Sequence, residues 1–280
     1  MDANELVKRY AAGERDFWET NLSGVSLIGV DLSEINLRAA DLSEANFTGS
    51  CLVGANLREA NLKGAILQAN LNEANLIAAN LNGANLQGAN LTEASLRGAN
   101  MERAILIGAN LSEANMNEIN LREADLSGAK LIEAPMSRAN LMKANLTGAI
   151  LDGVILTNAF LNGAILEKAH LVNAVLIGAT LEDANFSEAD LSRAKMTGAN
   201  LAGANLSKAN LRGASISWAT LRSANMRGAN LYRAKLTWSN LIGATLCEAI
   251  LIDANINRAN LRDADLTGAI MPDGRAYDYE

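Results

Sequence analysis

From Leu71 to Met271 every fifth residue is Leu, Met, Ile or Phe, without exception. An α-helix needs apolar spacing near 3.6 and a strand alternates every second residue, so a strict five fits neither and the chain has to turn once in each repeat. Two places before each central residue stands a small one, almost always alanine, as at Ala74, Ala79, Ala84 and Ala89, with Asn or Asp usually between them. Of the 22 glycines, all but Gly13 and Gly274 lie two residues after the central residue. A type II β-turn requires φ > 0 at its third position, which glycine supplies without steric cost, so this column marks corners.

Five-residue sides with a turn at each end close into a four-sided coil of about twenty residues, and stacked coils pair backbone to backbone about 4.8 Å apart. The central residue and the alanine point inward and the other three point out. Each buried leucine contributes roughly 1.5–3 kcal/mol against a comparable ordering cost, so the expected rod is stable only through stacking of neighbours. Composition agrees: the chain is 49% hydrophobic but only 4% aromatic, with two prolines and one histidine, the profile of a repeat array.

The tandem pattern, as in ANLNGANLQGANLTEA at 79–94, resembles the pentapeptide-repeat proteins over about residues 17–271. The flanks ELVKRYAAGERDF at 5–17 and GAIMPDG at 268–274 are similar to those of cyanobacterial members, among them a regulator of heterocyst differentiation. The resemblance implies an all-β fold, a right-handed quadrilateral β-helix of about 13 coils. The expected organisation is an N-terminal capping helix at 1–14, the β-helix at 15–271 and a tail at 272–280. Asp2 or Asn4 can cap that helix, Leu6 and Tyr10 share a face, and Gly13 suits the position after its end. It forms a lid over the first coil, where Val25, Val30 and Ile35 replace the usual alanine. The tail, with Tyr277 and Tyr279, either covers the far end loosely or pairs with a second copy. Leu67 and Leu71 are four apart, one residue having been dropped near 68–70, which calls for a tighter corner or a bend.

Chemistry finds little footing. His170 is the single histidine and has no cysteine near it, short of the three or four ligands a metal needs. Cys51 and Cys247 lie nearly ten coils apart and are expected to stay reduced. No GxxxxGK[ST] or GxGxxG element occurs, and carboxylates on convex sides are not shielded from water. Neither catalysis nor a cofactor is expected. The N-terminus lacks a signal-like apolar run, and no stretch approaches the roughly 18 apolar residues of a membrane span, so the expected location is cytoplasmic.

The surface is therefore the informative part. Glu73, Glu93, Glu113 and Glu133 are twenty apart and expected to stack as an acidic column on one corner. Residues 191–240 hold eight basic residues and no acidic one, a charge of +8, while 1–190 carry −11 and 241–280 carry −4, within the net −7. In this band Trp218 and Trp238 are twenty apart, with Arg193, Lys195, Arg212, Tyr232, Arg233 and Lys235 near them. Exposed Trp, Tyr and Arg are typical of binding hot spots.

Just before the band, the position usually held by Asn becomes Ile150, Ile155, Phe160 and Ile165 on four successive faces, girdling one coil, and Val175 continues the belt on the next. Such a belt reads either as a β-favouring choice or as an exposed apolar contact zone. The leading expectation is a non-catalytic scaffold or regulator that docks a protein on residues 150–240, with a second copy of the chain as one candidate partner. Some members of the family it resembles imitate DNA as acidic rods and modulate type II topoisomerases, which stands as an alternative. Nucleic-acid binding through the basic band is a second alternative, opposed by the negative net charge; no membrane partner is expected.

Overall fold

The computed structural model describes residues 1–277, so Tyr279 lies outside the described residues. Helix α1, Ala3–Ala11, opens the chain. Asp2 caps it by accepting the Glu5 N–H at 2.8 Å, and Gly13 follows its end at φ +98. From there to Asn140, and again from Asn145 to Ile270, the secondary structure is a succession of single parallel bridges, each joining residues about one coil apart, such as Asn205↔Asn225 and Asn210↔Asn230.

One repeat accounts for all its donors, which is the physical reason for its length. Leu206 N–H donates to Asn225 O at 2.6 Å and Lys208 N–H to Arg227 O at 2.8 Å, both in the next coil, while Asn210 N–H reaches back to Ala189 O at 2.9 Å. Ala209 N–H closes the corner on Leu206 O at 3.1 Å. Ser207 N–H, the fifth, goes to Asn205 Oδ1 at 3.1 Å. The corner residue Lys208 has φ +56 and Ser207 is not in the left-handed region, so the turn is type II as the glycine column predicted. Thirty non-glycine residues hold the same corner at φ between 53 and 64. The pairing to neighbouring coils therefore imposes the corner, and glycine only makes it cheaper.

The chain divides into two compact units, Met1–Asn140 and Leu141–Glu280. In each, the central column and the alanine column are sealed from solvent except at the end coils and form the core, with Leu86, Ala89, Leu206 and Ala209 as examples. In the first unit α1 lies over the first coil. Leu6 is fully buried, the Tyr10 hydroxyl donates to Ser33 O at 2.9 Å, and the Arg15 guanidinium sits 3.8 Å from the Tyr10 ring centroid. The dropped residue is absorbed by a tighter corner: Ala69 N–H bonds Leu67 O at 2.7 Å, an i→i+2 turn. The ladder runs one short at Cys51↔Asn70 through Ile66↔Asn85 and regains its full step at Asn70↔Asn90.

In the second unit the tail turns back on the last coil. Ile270 pairs antiparallel with Ala276, and Tyr277 N–H bonds Ala269 O at 2.7 Å. It covers one side only, since Ile256 and Leu261, central residues of the last coil, are half-buried.

Candidate partner-binding face

The asparagine before each central residue does more than face water. Its Oδ1 accepts the N–H two residues on, and its Nδ2 donates to the equivalent Oδ1 one coil earlier, as Asn225 does to Asn205 at 3.2 Å. These side chains are mostly half-buried and run as ladders along the sides. The belt interrupts them, because Ile150, Ile155, Phe160 and Ile165 have no amide to offer. Other side chains bond between coils around the belt: Asp152 Oδ1 accepts Val172 N–H at 2.9 Å and Asn162 Oδ1 accepts the Thr180 hydroxyl at 2.8 Å.

The belt lies on four different sides of one coil, so no flat partner spans it. Ile155, Phe160 and Ile165 are exposed, while Ile150 and Val175 are half-buried. The bridges Ile155↔Val175, Val175↔Lys195, Lys195↔Ser215 and Ser215↔Lys235 put two belt residues and two lysines in one line. Ile150, Phe160 and Ile165 instead continue into His170, Thr180 and Asn185 on the other sides. Among the described residues no group of three or more His, Cys, Asp and Glu is placed to hold a metal.

The line from Ile155 to Lys235 is flanked by two corners. One carries Arg193, Gly213 and Arg233 in successive coils, with Arg212 and Tyr232 immediately before it. The Arg212 and Arg233 guanidiniums lie 4.8 and 4.9 Å from the Tyr232 ring centroid. Arg193, Arg212 and Arg233, with Ser192, Asn210 and Gly213, line a notch of about 250 Å³. The other corner carries Gly198, Trp218 and Trp238, followed by Arg258. The two indoles stack at 5.1 Å with planes 11° apart, and Arg258 lies 4.5 Å over the Trp238 ring. Trp218 is 62% exposed and Trp238 43%.

Charge on this face is largely uncompensated. Of the eight basic residues between 191 and 240, only Arg227 and Arg233 make ion pairs among the described residues, with Glu248 and with Asp253, the latter at 3.2 Å. Arg258 was absent from the sequence reading, although it stands twenty residues after Trp238 and that spacing could have found it. In the first unit Glu73, Glu93, Glu113 and Glu133 stand at consecutive exposed corners, linked by Glu73 N–H to Thr92 O, Glu93 N–H to Ser112 O and Glu113 N–H to Ile132 O.

Eight matches to the family model for pentapeptide repeats run in succession over residues 15–268. The chain belongs to the pentapeptide-repeat family. Its fold is accordingly the right-handed quadrilateral β-helix. The chain is similar over 99% of its length, at 34% identity and with a TM-score of 0.54, to the whole of HetL, a pentapeptide repeat protein involved in heterocyst differentiation regulation from the cyanobacterium Nostoc sp. strain PCC 7120. A pentapeptide repeat protein of the Arabidopsis thaliana thylakoid lumen is 33% identical over 37% of this chain and 66% of its own, with a TM-score of 0.26. QnrB1, a plasmid-mediated fluoroquinolone resistance protein, is 16% identical over 86% of this chain and 91% of its own, with a TM-score of 0.27. Comparison with functionally curated proteins gives no match. Among the described residues no helix is long and apolar enough to cross a membrane.

Proposed function

We propose that this pentapeptide-repeat protein is a non-catalytic scaffold or regulator that binds a protein partner through the face running from Ile155 to Lys235 and its two corners. The observation that carries this reading is the stacked, exposed Trp218–Trp238 pair beside Arg193 and Arg212, which make no ion pair among the described residues. Exposed indoles and guanidiniums supply large contact area and charge-assisted bonds at low conformational cost. Ile155 and Val175 extend the face with apolar contact; Ile150, Phe160 and Ile165 lie outside it and are left with a conformational role. Likeness to HetL favours a regulatory role, and two free cysteines suit a reducing compartment such as the cytoplasm.

The test is capture of partners from a lysate of the organism that carries the chain, with Trp218→Ala/Trp238→Ala as the comparison. Loss of capture with an unchanged melting temperature supports the face. Capture by the double variant at wild-type strength moves the interface elsewhere. The acidic stack of Glu73, Glu93, Glu113 and Glu133 favours, as a second reading, a DNA-like modulator of a type II topoisomerase. Unchanged gyrase supercoiling in the presence of the protein eliminates it.

A further inference from the structure

We propose that the face between the Gly213 and Gly198 corners binds an acidic, proline-containing peptide segment, a carboxylate entering the notch of Arg193, Arg212 and Arg233 and a proline ring lying on the open side of Trp218. This rests on the partner-binding reading and names the chemistry of the partner.

The notch exists because glycine interrupts a column of arginines. A Cβ built on Gly213 falls 3.7 Å from Arg193 Cγ, so any longer side chain there occupies the space between Arg193 and Arg233. The Tyr232 ring holds Arg212 and Arg233, and Asp253 takes Arg233 through its Nε, leaving the terminal nitrogens directed by a fixed stem. A preordered guanidinium loses less freedom on capturing a carboxylate than a mobile one.

On the other corner, Trp238 covers one side of Trp218 and is itself backed by Arg258. The corner residue one coil earlier is Gly198, around whose added Cβ nothing lies within 4 Å. A flat, backed indole with nothing built over it suits a proline ring. The two corners are one side apart, three extended residues or about 10 Å. A polyproline II segment rises about 3.1 Å per residue, so a glutamate three residues before a proline spans about 9 Å. A nucleic-acid strand also stacks on indole, but its phosphates continue past the patch toward Asp253 and toward Glu182 and Asp183 in the preceding coil. A segment with its charge confined to one or two residues avoids that repulsion.

The experiment titrates the full chain against a fluorescein-labelled Gly/Ser-flanked Glu-Ala-Ala-Pro peptide and reads polarisation, with Gln-Ala-Ala-Pro, Glu-Ala-Ala-Gly and a labelled oligothymidylate as comparators. Replacing the peptide's Glu or Pro is expected to weaken binding about tenfold, in line with the loss of one charge-assisted bond or one stacked ring. Arg193→Gln is expected to weaken the Glu peptide about tenfold and leave the Gln peptide unchanged, and Trp218→Ala to erase the difference between the Pro and Gly peptides. Equal binding of the Glu and Gln peptides, no saturation at millimolar peptide, or tighter binding of the oligothymidylate overturns the proposal. If the peptide fails while Trp218→Ala/Trp238→Ala still abolishes partner capture, the face stands and only its assigned chemistry falls.

Discussion

Asn205 donates through Nδ2 to Oδ1 of Asn185 one coil earlier, at 3.0 Å. The same side chain accepts from Asn225 and caps the Ser207 N–H, so one amide ties three coils together and satisfies a donor at the corner. Asn205→Ala removes all three bonds and is expected to cost about 1–3 kcal/mol, read as a lower urea midpoint. Ile165→Asn, in the same line, puts an amide between Asn145 and Asn185 and is expected to leave stability within about 1 kcal/mol of wild type.

The corners offer a backbone experiment free of packing. Gly98 has φ +64 and nothing within 4 Å of an added Cβ, so Gly98→Ala is expected to destabilise by about 1 kcal/mol through strain alone. Ala78, its neighbour one coil earlier, holds φ +55. Ala78→Gly relieves that strain but frees the unfolded chain, and the urea midpoint is expected to rise or hold.

Core truncation should behave differently. Leu141 is fully buried in the central column, and Leu141→Ala is expected to cost about 2–5 kcal/mol in urea unfolding. A loss under about 1 kcal/mol would show that the coil collapses onto the vacancy.

The acid limb of stability has a named contributor. The Asp265 carboxylate is held down to about 2, first by the Cys247 thiol and then by the Thr267 hydroxyl and N–H. Its folded value lies below its ordinary 3.8, so its contribution is complete above about pH 4 and is lost as pH falls toward 2. Asp265→Asn is expected to flatten the melting-temperature profile between those values. The same bond, together with burial, raises the Cys247 thiol, so the variant should also alkylate faster at Cys247.

The four-sided winding was legible in the five-residue period, its right hand only in the family resemblance, and the twenty-residue step then predicted the Trp218–Trp238 stack and the glutamate column. The role of asparagine was not legible: its frequency suggested a polar outward residue, whereas Asn205 shows a bonded, half-buried one, a distinction that depends on side-chain geometry. The twenty-residue step also placed the belt around one coil, with Ile150, Phe160 and Ile165 on sides away from Ile155. The notch over Gly213 escaped notice because a glycine there looks like every other corner glycine.

The turn at Leu67–Ala69 carries a broader consequence. By shortening one corner, the winding forgives a missing letter within a single revolution and restores its count from Asn70 onward. An omission of this kind is thus healed locally, and the loss of a residue at a corner leaves the neighbours beyond it in step.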